Sequence, residues 1–139
     1  MVESIQELVE ELKEDEGFEP MPYVDTTGHP TIGYGTKLPI DHVEAQLLLE
    51  KRLSDVMAEL RERLGFFDEL PAAAQSILLN MAYNLGVPRL MSFKRMIAAL
   101  DERDFKKAAK EMRNSLWYRQ VGRRAERLAQ KMETLSSSK

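Results

Sequence analysis

The chain has 139 residues, 43% hydrophobic and 31% charged, which is long enough to bury a real core and fits one compact globular domain. It has no cysteine, so a disulfide framework and thiolate sites for zinc or redox work are excluded, and its two histidines, His29 and His42, are not spaced as a metal pair. The net charge of −3 hides an asymmetry: 17 acids and 6 bases run through Gly86, against 6 acids and 14 bases after it, or −11 and +8.

The first helix is predicted to start at Ser4, whose hydroxyl can cap it while Glu7 reaches back, with Ile5, Leu8, Val9 and Leu12 at helical spacing. Gly17 is a natural terminator, which leaves Glu16 in or beside the last turn. There the negative end of the helix dipole disfavours a charged carboxylate and favours the protonated form that a general acid requires. From Met21 to Leu38 the helical period vanishes. Prolines 20, 22 and 30 and glycines 28, 33 and 35 punctuate β-branched and aromatic residues, which predicts a small irregular antiparallel sheet turning near Asp25 to Gly28. Such a sheet has to lean on helices.

Asp41, with Glu44 three residues on, opens the longest helix, whose predicted stripe is Val43, Leu47, Leu49, Leu53, Val56, Leu60 and Leu64. Over about 23 residues it spans roughly 35 Å and reads as a strut between two lobes, ending at Gly65. Pro71 precedes a helix with Ala74, Ile77, Leu78, Met81 and Leu85 on its buried face. Pro88 is expected to interrupt the next connection. Helical segments follow around Phe93–Leu100, Asp104–Arg113 and Arg123–Met132, with Trp117 and Tyr118 between the last two and a frayed tail at 136–139.

The start of the chain is acidic and polar, without the basic and apolar regions of a secretory signal, and no apolar run approaches the roughly 20 residues of a membrane span. The expectation is a chain kept in a cytosol unless another factor lets it out. The basic C-terminal half can meet nucleic acid, anionic lipid or an acidic wall polymer; equally, the two oppositely charged halves can attract each other within one fold.

Two carboxylates, Glu16 and Asp25, and the Thr31 hydroxyl surround the glycine-punctuated segment, a minimal kit for protonating a leaving group and steering a water. Each has a plainer explanation. An Asp in a turn can serve to hold backbone amides, a Thr at a strand start is ordinary, and Gly33 and Gly35 can mark bulges or a close backbone approach.

The run Asp15-Glu16-Gly17, Tyr23-x-Asp25-x-x-Gly28-x-x-Thr31-Ile32-Gly33-x-Gly35 resembles the catalytic signature of phage-type lysozymes, glycoside hydrolase family 24. A second block resembles the family's helical lobe in the same order: Asn80 to Gly86, Phe93, Ser115-x-Trp117-Tyr118 and Arg124-Ala125. The resemblance implies an α+β, lysozyme-like fold as a single domain, with a first lobe over about 1–40, a linking helix over about 41–65, a helical lobe over about 66–135 and a cleft between lobes. It implies that Glu16 is the general acid, that Asp25 orients the attacking water and balances charge on the sugar, and that Thr31 helps fix that water. Arg124 matches an arginine that reaches toward the catalytic Glu. Tyr83 and Asn84 match cleft positions suited to a sugar face and an acetamido group, while Trp117 is expected to be a core anchor.

This chain departs from the pattern in places. Thr36 stands where the family usually has His, and Lys37 stands where its best-known member has an apolar residue near substrate. Met96 and Glu111 replace small polar residues of that member's cleft, and the link between sheet and long helix is shortened. The implied activity is that of an N-acetylmuramidase cutting the β-1,4 bond between N-acetylmuramic acid and N-acetylglucosamine in bacterial peptidoglycan. Inversion is expected, with carboxyl groups about 6.5–9.5 Å apart. No cofactor, metal, nucleic acid or stable membrane insertion is implied. The biological expectation is a monomeric phage or prophage endolysin in the host cytoplasm, reaching the wall with a separate holin-type protein. The alternatives are a virion-associated muramidase, a non-cutting glycan-binding module and a helical nucleic-acid binder.

Overall fold

A computed structural model of the chain describes residues 4–137. In the first helix, α1 (Ile5–Glu16), the Glu7 amide donates to Ser4 Oγ at 3.1 Å, and Glu7 Oε1 in turn accepts a hydrogen bond from the Ser4 hydroxyl at 2.9 Å. Gly17 ends the helix at φ +70°, its N–H donating to Lys13 O, so the chain turns away immediately after Glu16.

Three antiparallel strands follow in the order β1 (Glu19–Val24), β2 (Pro30–Gly33) and β3 (Thr36–Lys37). The β1–β2 register slips between Glu19 and Tyr23, where Pro20 and Pro22 have no N–H to offer a ladder. Beyond the slip the pairing is regular. Tyr23 stands opposite Thr31, and Thr31 opposite Lys37, so these three side chains share one row and one face of the sheet.

The next helix, α2 (His42–Arg63), begins with a reciprocal capping box. The Glu44 amide donates to Asp41 Oδ1 at 2.8 Å and the Asp41 amide to Glu44 Oε1 at 2.9 Å. The chain divides within this helix into two compact units, the first ending at Leu48 and the second beginning at Leu49. In the first unit Thr31 is the one fully buried residue among those described.

After a 3₁₀ turn (Phe67–Glu69), the second unit is built from α3 (Ala72–Leu85), α4 (Val87–Met91), α5 (Lys94–Asp101), α6 (Phe105–Arg113), α7 (Leu116–Val121) and α8 (Arg123–Ser137). Its core holds Leu60, Phe67, Ile77, Leu78, Leu90, Leu100, Trp117 and Leu128 together with Met81, Met96, Met112 and Met132. Four thioethers among the largest core side chains suit the irregular gaps between short helices, because an unbranched side chain bends to fit. An ion-pair network ties α6 to α8: Arg113 donates to Glu126 Oε1 at 3.0 Å and to Glu133 Oε1 at 3.2 Å, and the Tyr118 hydroxyl donates to Glu126 Oε1 at 2.7 Å. Part of the basic C-terminal charge is thus consumed by local acids.

The structure differs from the sequence expectations in three local places. Pro88 does not break the chain but sits in the first turn of α4, where a missing N–H costs nothing. Trp117 and Tyr118 lie within a short helix of their own, capped by Ser115 Oγ, which accepts from the Tyr118 amide. On α2 the predicted stripe is covered only toward its end: Leu60 is buried, while Val43, Leu47 and Leu49 stay exposed. The tail is helical through Ser137, and the rest of the expected frayed end lies outside the described residues.

Candidate active site

The turn after β1 is organised around Asp25. Its own N–H donates to His29 O at 2.9 Å, and the Gly28 N–H closes the turn onto Asp25 O at 3.0 Å with Gly28 at φ +85°. The side chain is held as firmly as the backbone. Oδ1 accepts from the Thr27 amide (2.9 Å), the Thr27 hydroxyl (2.8 Å) and the His29 amide (2.8 Å). Oδ2 pairs with the Lys37 ammonium, brought within reach by the β2–β3 register. The Asp25 side chain is left only 13% exposed.

These contacts hold the Asp25 carboxyl far below the ordinary carboxylate range. The Lys37 bond contributes most, then the His29 amide and the Thr27 hydroxyl, against a smaller opposing effect of burial. Lys37 is raised in return, chiefly by Asp25, with Glu16 and Tyr23 adding attraction at longer range. One ammonium therefore lies in the field of both candidate carboxylates.

Thr31 is fully buried, and its hydroxyl donates to His29 O at 2.8 Å. That carbonyl also receives the Asp25 N–H, so Thr31 braces the turn that carries Asp25 from below. The acceptor lone pairs of its oxygen are the part left for any further partner. The His29 ring reaches across to Leu38 O at 3.0 Å, tying the same turn to the segment after β3.

Glu16 is placed by the end of α1 and by Gly35. A Cβ built on Gly35 would stand 2.6 Å from Glu16 Oε2, 2.7 Å from Cδ and 3.0 Å from Cγ. Gly35 also has φ +72°, which L side chains rarely adopt. The backbone conformation favours glycine, and its bare backbone forms the seat of the Glu16 carboxylate, an exposed side chain that a Cβ would displace. Gly33, at φ +69°, has nothing within 4 Å of a built Cβ.

In the second unit, Arg124 directs its guanidinium at Asn80 of α3, donating from Nε to Asn80 Oδ1 (2.9 Å) and from a terminal nitrogen to Asn80 O (3.1 Å). Asn84 Oδ1 accepts from Trp117 Nε1 at 2.9 Å, and Trp117 is 2% exposed with its ring edge-on to Phe93. Trp117 is thus a core anchor, as expected, and Asn84 is its polar partner. Tyr83 is 45% exposed. A cleft of about 520 Å³ on this unit is lined by Phe93, Met96, Glu111 and Trp117 among others, so Met96 and Glu111 do face a cavity.

The first unit therefore brings Asp25, Thr31 and Lys37 into one hydrogen-bonded neighbourhood, with Glu16 within electrostatic reach of Lys37. The sequence reading allowed for such contacts without naming the partners that hold this neighbourhood. Thr27 and the His29 amide had a visible signal, an Asp followed at two and four residues by donors, which is the pattern of an Asx turn. Gly35 had one too, as a glycine of suspected close approach, but its visitor could not be named. Among the described residues no group of three or more His, Cys, Asp or Glu side chains could hold a metal ion, and no helix is long and apolar enough to cross a membrane.

Residues 13–134 match the family described as phage lysozyme. The chain is 30% identical over 152 aligned residues to the pre-baseplate central spike protein of Enterobacteria phage T4, an alignment covering 87% of this chain and 26% of the spike protein. It is 29% identical to probable T4-type lysozyme 1 of Dictyostelium discoideum, over 66% of this chain and 55% of that protein. With probable T4-type lysozyme 2 of the same organism it shares 26% identity over 96% of both. The chain thus spans about a quarter of the first of these relatives and about half of the second.

Proposed function

We propose that this chain, which belongs to the phage lysozyme family, is a peptidoglycan hydrolase of the muramidase type with Glu16 as its acid and Asp25 as the holder of its water. The supporting observation is that the two carboxylates have opposite surroundings. Asp25 is wrapped by donors and an ammonium that keep it ionised, the state needed to hold and orient a nucleophilic water. Glu16 sits at the C-terminal end of α1 with its carboxylate against the bare backbone of Gly35, outside that cage of donors. Two carboxylates in contrasting environments divide the acid and base roles of glycoside hydrolysis.

In this reading Glu16 protonates the bridging oxygen of the β-1,4 bond between N-acetylmuramic acid and N-acetylglucosamine as it leaves. A water on Asp25 Oδ2 attacks the anomeric carbon from the opposite face, giving inversion, while the Asp25 charge faces the oxocarbenium-like transition state. Oδ2 is the oxygen for this task because Oδ1 already has three donors. Thr31 braces the turn and offers its oxygen as a further acceptor. Tyr83, Asn84 and Arg124 form the supporting set on the second unit. The test is clearing of chloroform-treated Gram-negative cells by wild type, Glu16→Gln and Asp25→Asn, with ¹H NMR of the first-formed anomer. Clearing by wild type alone, with the α-anomer appearing first, supports the reading; undiminished clearing by Glu16→Gln removes it.

The biological setting is an endolysin acting as a monomer on the wall, with a separate holin-type protein opening the way from the host cytoplasm. A second setting, a lysozyme module carried on the phage particle, is favoured by the similarity to a phage spike protein. Mass spectrometry of purified virions separates the two, since only the second leaves this chain in the particle.

A further inference from the structure

Lys37 is the feature of the first unit that neither the fold nor the proposed reaction demands. It stands on β3 opposite Thr31, and its side chain crosses the row to reach Asp25. The ammonium itself is well exposed, whereas the carboxylate that it meets is nearly covered. An ion pair whose ammonium is this exposed adds only modestly to the stability of a fold. Its consequence therefore lies in what it does to Asp25.

The lone-pair inventory makes this concrete. A carboxylate offers about four acceptor positions, two on each oxygen. Three donors crowd Oδ1 from within the turn, so that oxygen is full. Oδ2 has no donor from the turn itself, and Lys37 occupies one side of it. A water can then take only the remaining side.

We propose that Lys37 is a positioning residue that ties down the Oδ2 oxygen of Asp25 and confines the water to one lone pair of it. The inference rests on the proposed role of Asp25, but its central claim concerns Asp25 whether or not the chain cuts glycan. The charged and titratable groups around the pair are few. Lys37 comes from β3, Glu16 from α1 and Tyr23 from β1, and the latter two act on Lys37 through space. His29, on the turn, presents its backbone amide to Asp25 and its ring to Leu38 O, so imidazole protonation leaves the Asp25 bonds in place. Removing Lys37 takes away the largest stabiliser of the charged form and leaves the amides, so Asp25 should move only part of the way back toward ordinary behaviour.

The experiment is a carboxyl ¹³C NMR titration of Asp25 in wild type, Lys37→Met and Lys37→Arg, with the kcat–pH profile measured on soluble N-acetylmuramic acid–N-acetylglucosamine oligosaccharide. In Lys37→Met, Asp25 is expected to take up its proton at roughly tenfold lower proton concentration than in wild type, the lower end of what an adjacent opposite charge does. The acid limb of kcat should move to higher pH in parallel, with kcat near neutrality lowered severalfold because the water is no longer confined, and KM within about threefold of wild type. Lys37→Arg should retain wild-type behaviour in both. An unmoved Asp25 titration in Lys37→Met overturns the proposal, as does a raised KM with an unmoved acid limb, which would make Lys37 a substrate contact. Asp25→Asn and Glu16→Gln run alongside. If both keep wild-type kcat, the proposed function falls, while the titration still decides the role of Lys37.

Discussion

Replacing Gly35 by alanine tests the seat of Glu16, because the substitution adds one methyl group at a known place. The incoming Cβ meets Glu16 Oε2 at 2.6 Å, where ordinary contact begins at 3.4 Å, so the carboxylate has to retreat by about 0.8 Å. A misplacement of about 1 Å in a catalytic group costs on the order of 100-fold in rate, or about 2.7 kcal/mol of barrier. Separately, holding alanine at φ +72° costs about 1–2 kcal/mol of stability, which for a chain of this size lowers Tm by roughly 3–10 °C. Gly33→Ala is the matched control. It carries the same backbone penalty at φ +69°, but its Cβ meets nothing within 4 Å. The assay is kcat on soluble oligosaccharide beside thermal melts of both variants. The expected result is a similar loss of Tm in both and a loss of kcat confined to Gly35→Ala. Equal loss of kcat in the two variants, or a wild-type kcat in Gly35→Ala, refutes the idea that this contact places the acid.

The remaining predictions concern the second unit. Arg113, Tyr118 and Gln130 hold Glu126 down to about 2, below its ordinary value of 4.5. A carboxyl depressed by folding adds stability above its unfolded value and loses that contribution as pH falls through the folded one, so the window is from about 4.5 to about 2. Melts of Glu126→Gln should show a shallower fall of Tm across this window than wild type; an identical slope would mean that the ion-pair network contributes nothing. Trp117→Phe removes the donor to Asn84 Oδ1 and some packing, at a cost of about 1–2 kcal/mol. Denaturant unfolding should report that loss, with the clearing rate per folded molecule within about twofold of wild type; a large loss of rate at unchanged stability would make Trp117 a sugar platform instead.

Much of this molecule was legible in one dimension because its signals are local. Ser4 with Glu7, and Asp41 with Glu44, announce helix starts within a single turn of chain, and Gly17 announces an end. The spacing of Glu16, Asp25 and Thr31 carries the family, because a short helix-end, turn and strand leave little freedom for where those side chains go. Local signals also misled. Pro88 reads equally as a break or as a first helical turn, and only the neighbouring helices choose between them.

What the linear order by itself determined is the longer elements, though not the short helices α4 and α7, together with the turn chemistry around Asp25 and the identity of the polar groups gathered there. Only tertiary structure decided who meets whom. Lys37 reaches Asp25 across 12 positions because β3 pairs with β2 in one register, and a slip of one residue would turn it to the other face. Gly35 receives Glu16 because α1 and the turn before β3 converge, a distance no spacing rule encodes. Trp117 finds Asn84 over 33 positions only once α3 and α7 are packed together. The physical reason is the same in each case: caps and turns are decided by bonds a few residues long, whereas these contacts depend on where whole elements come to rest.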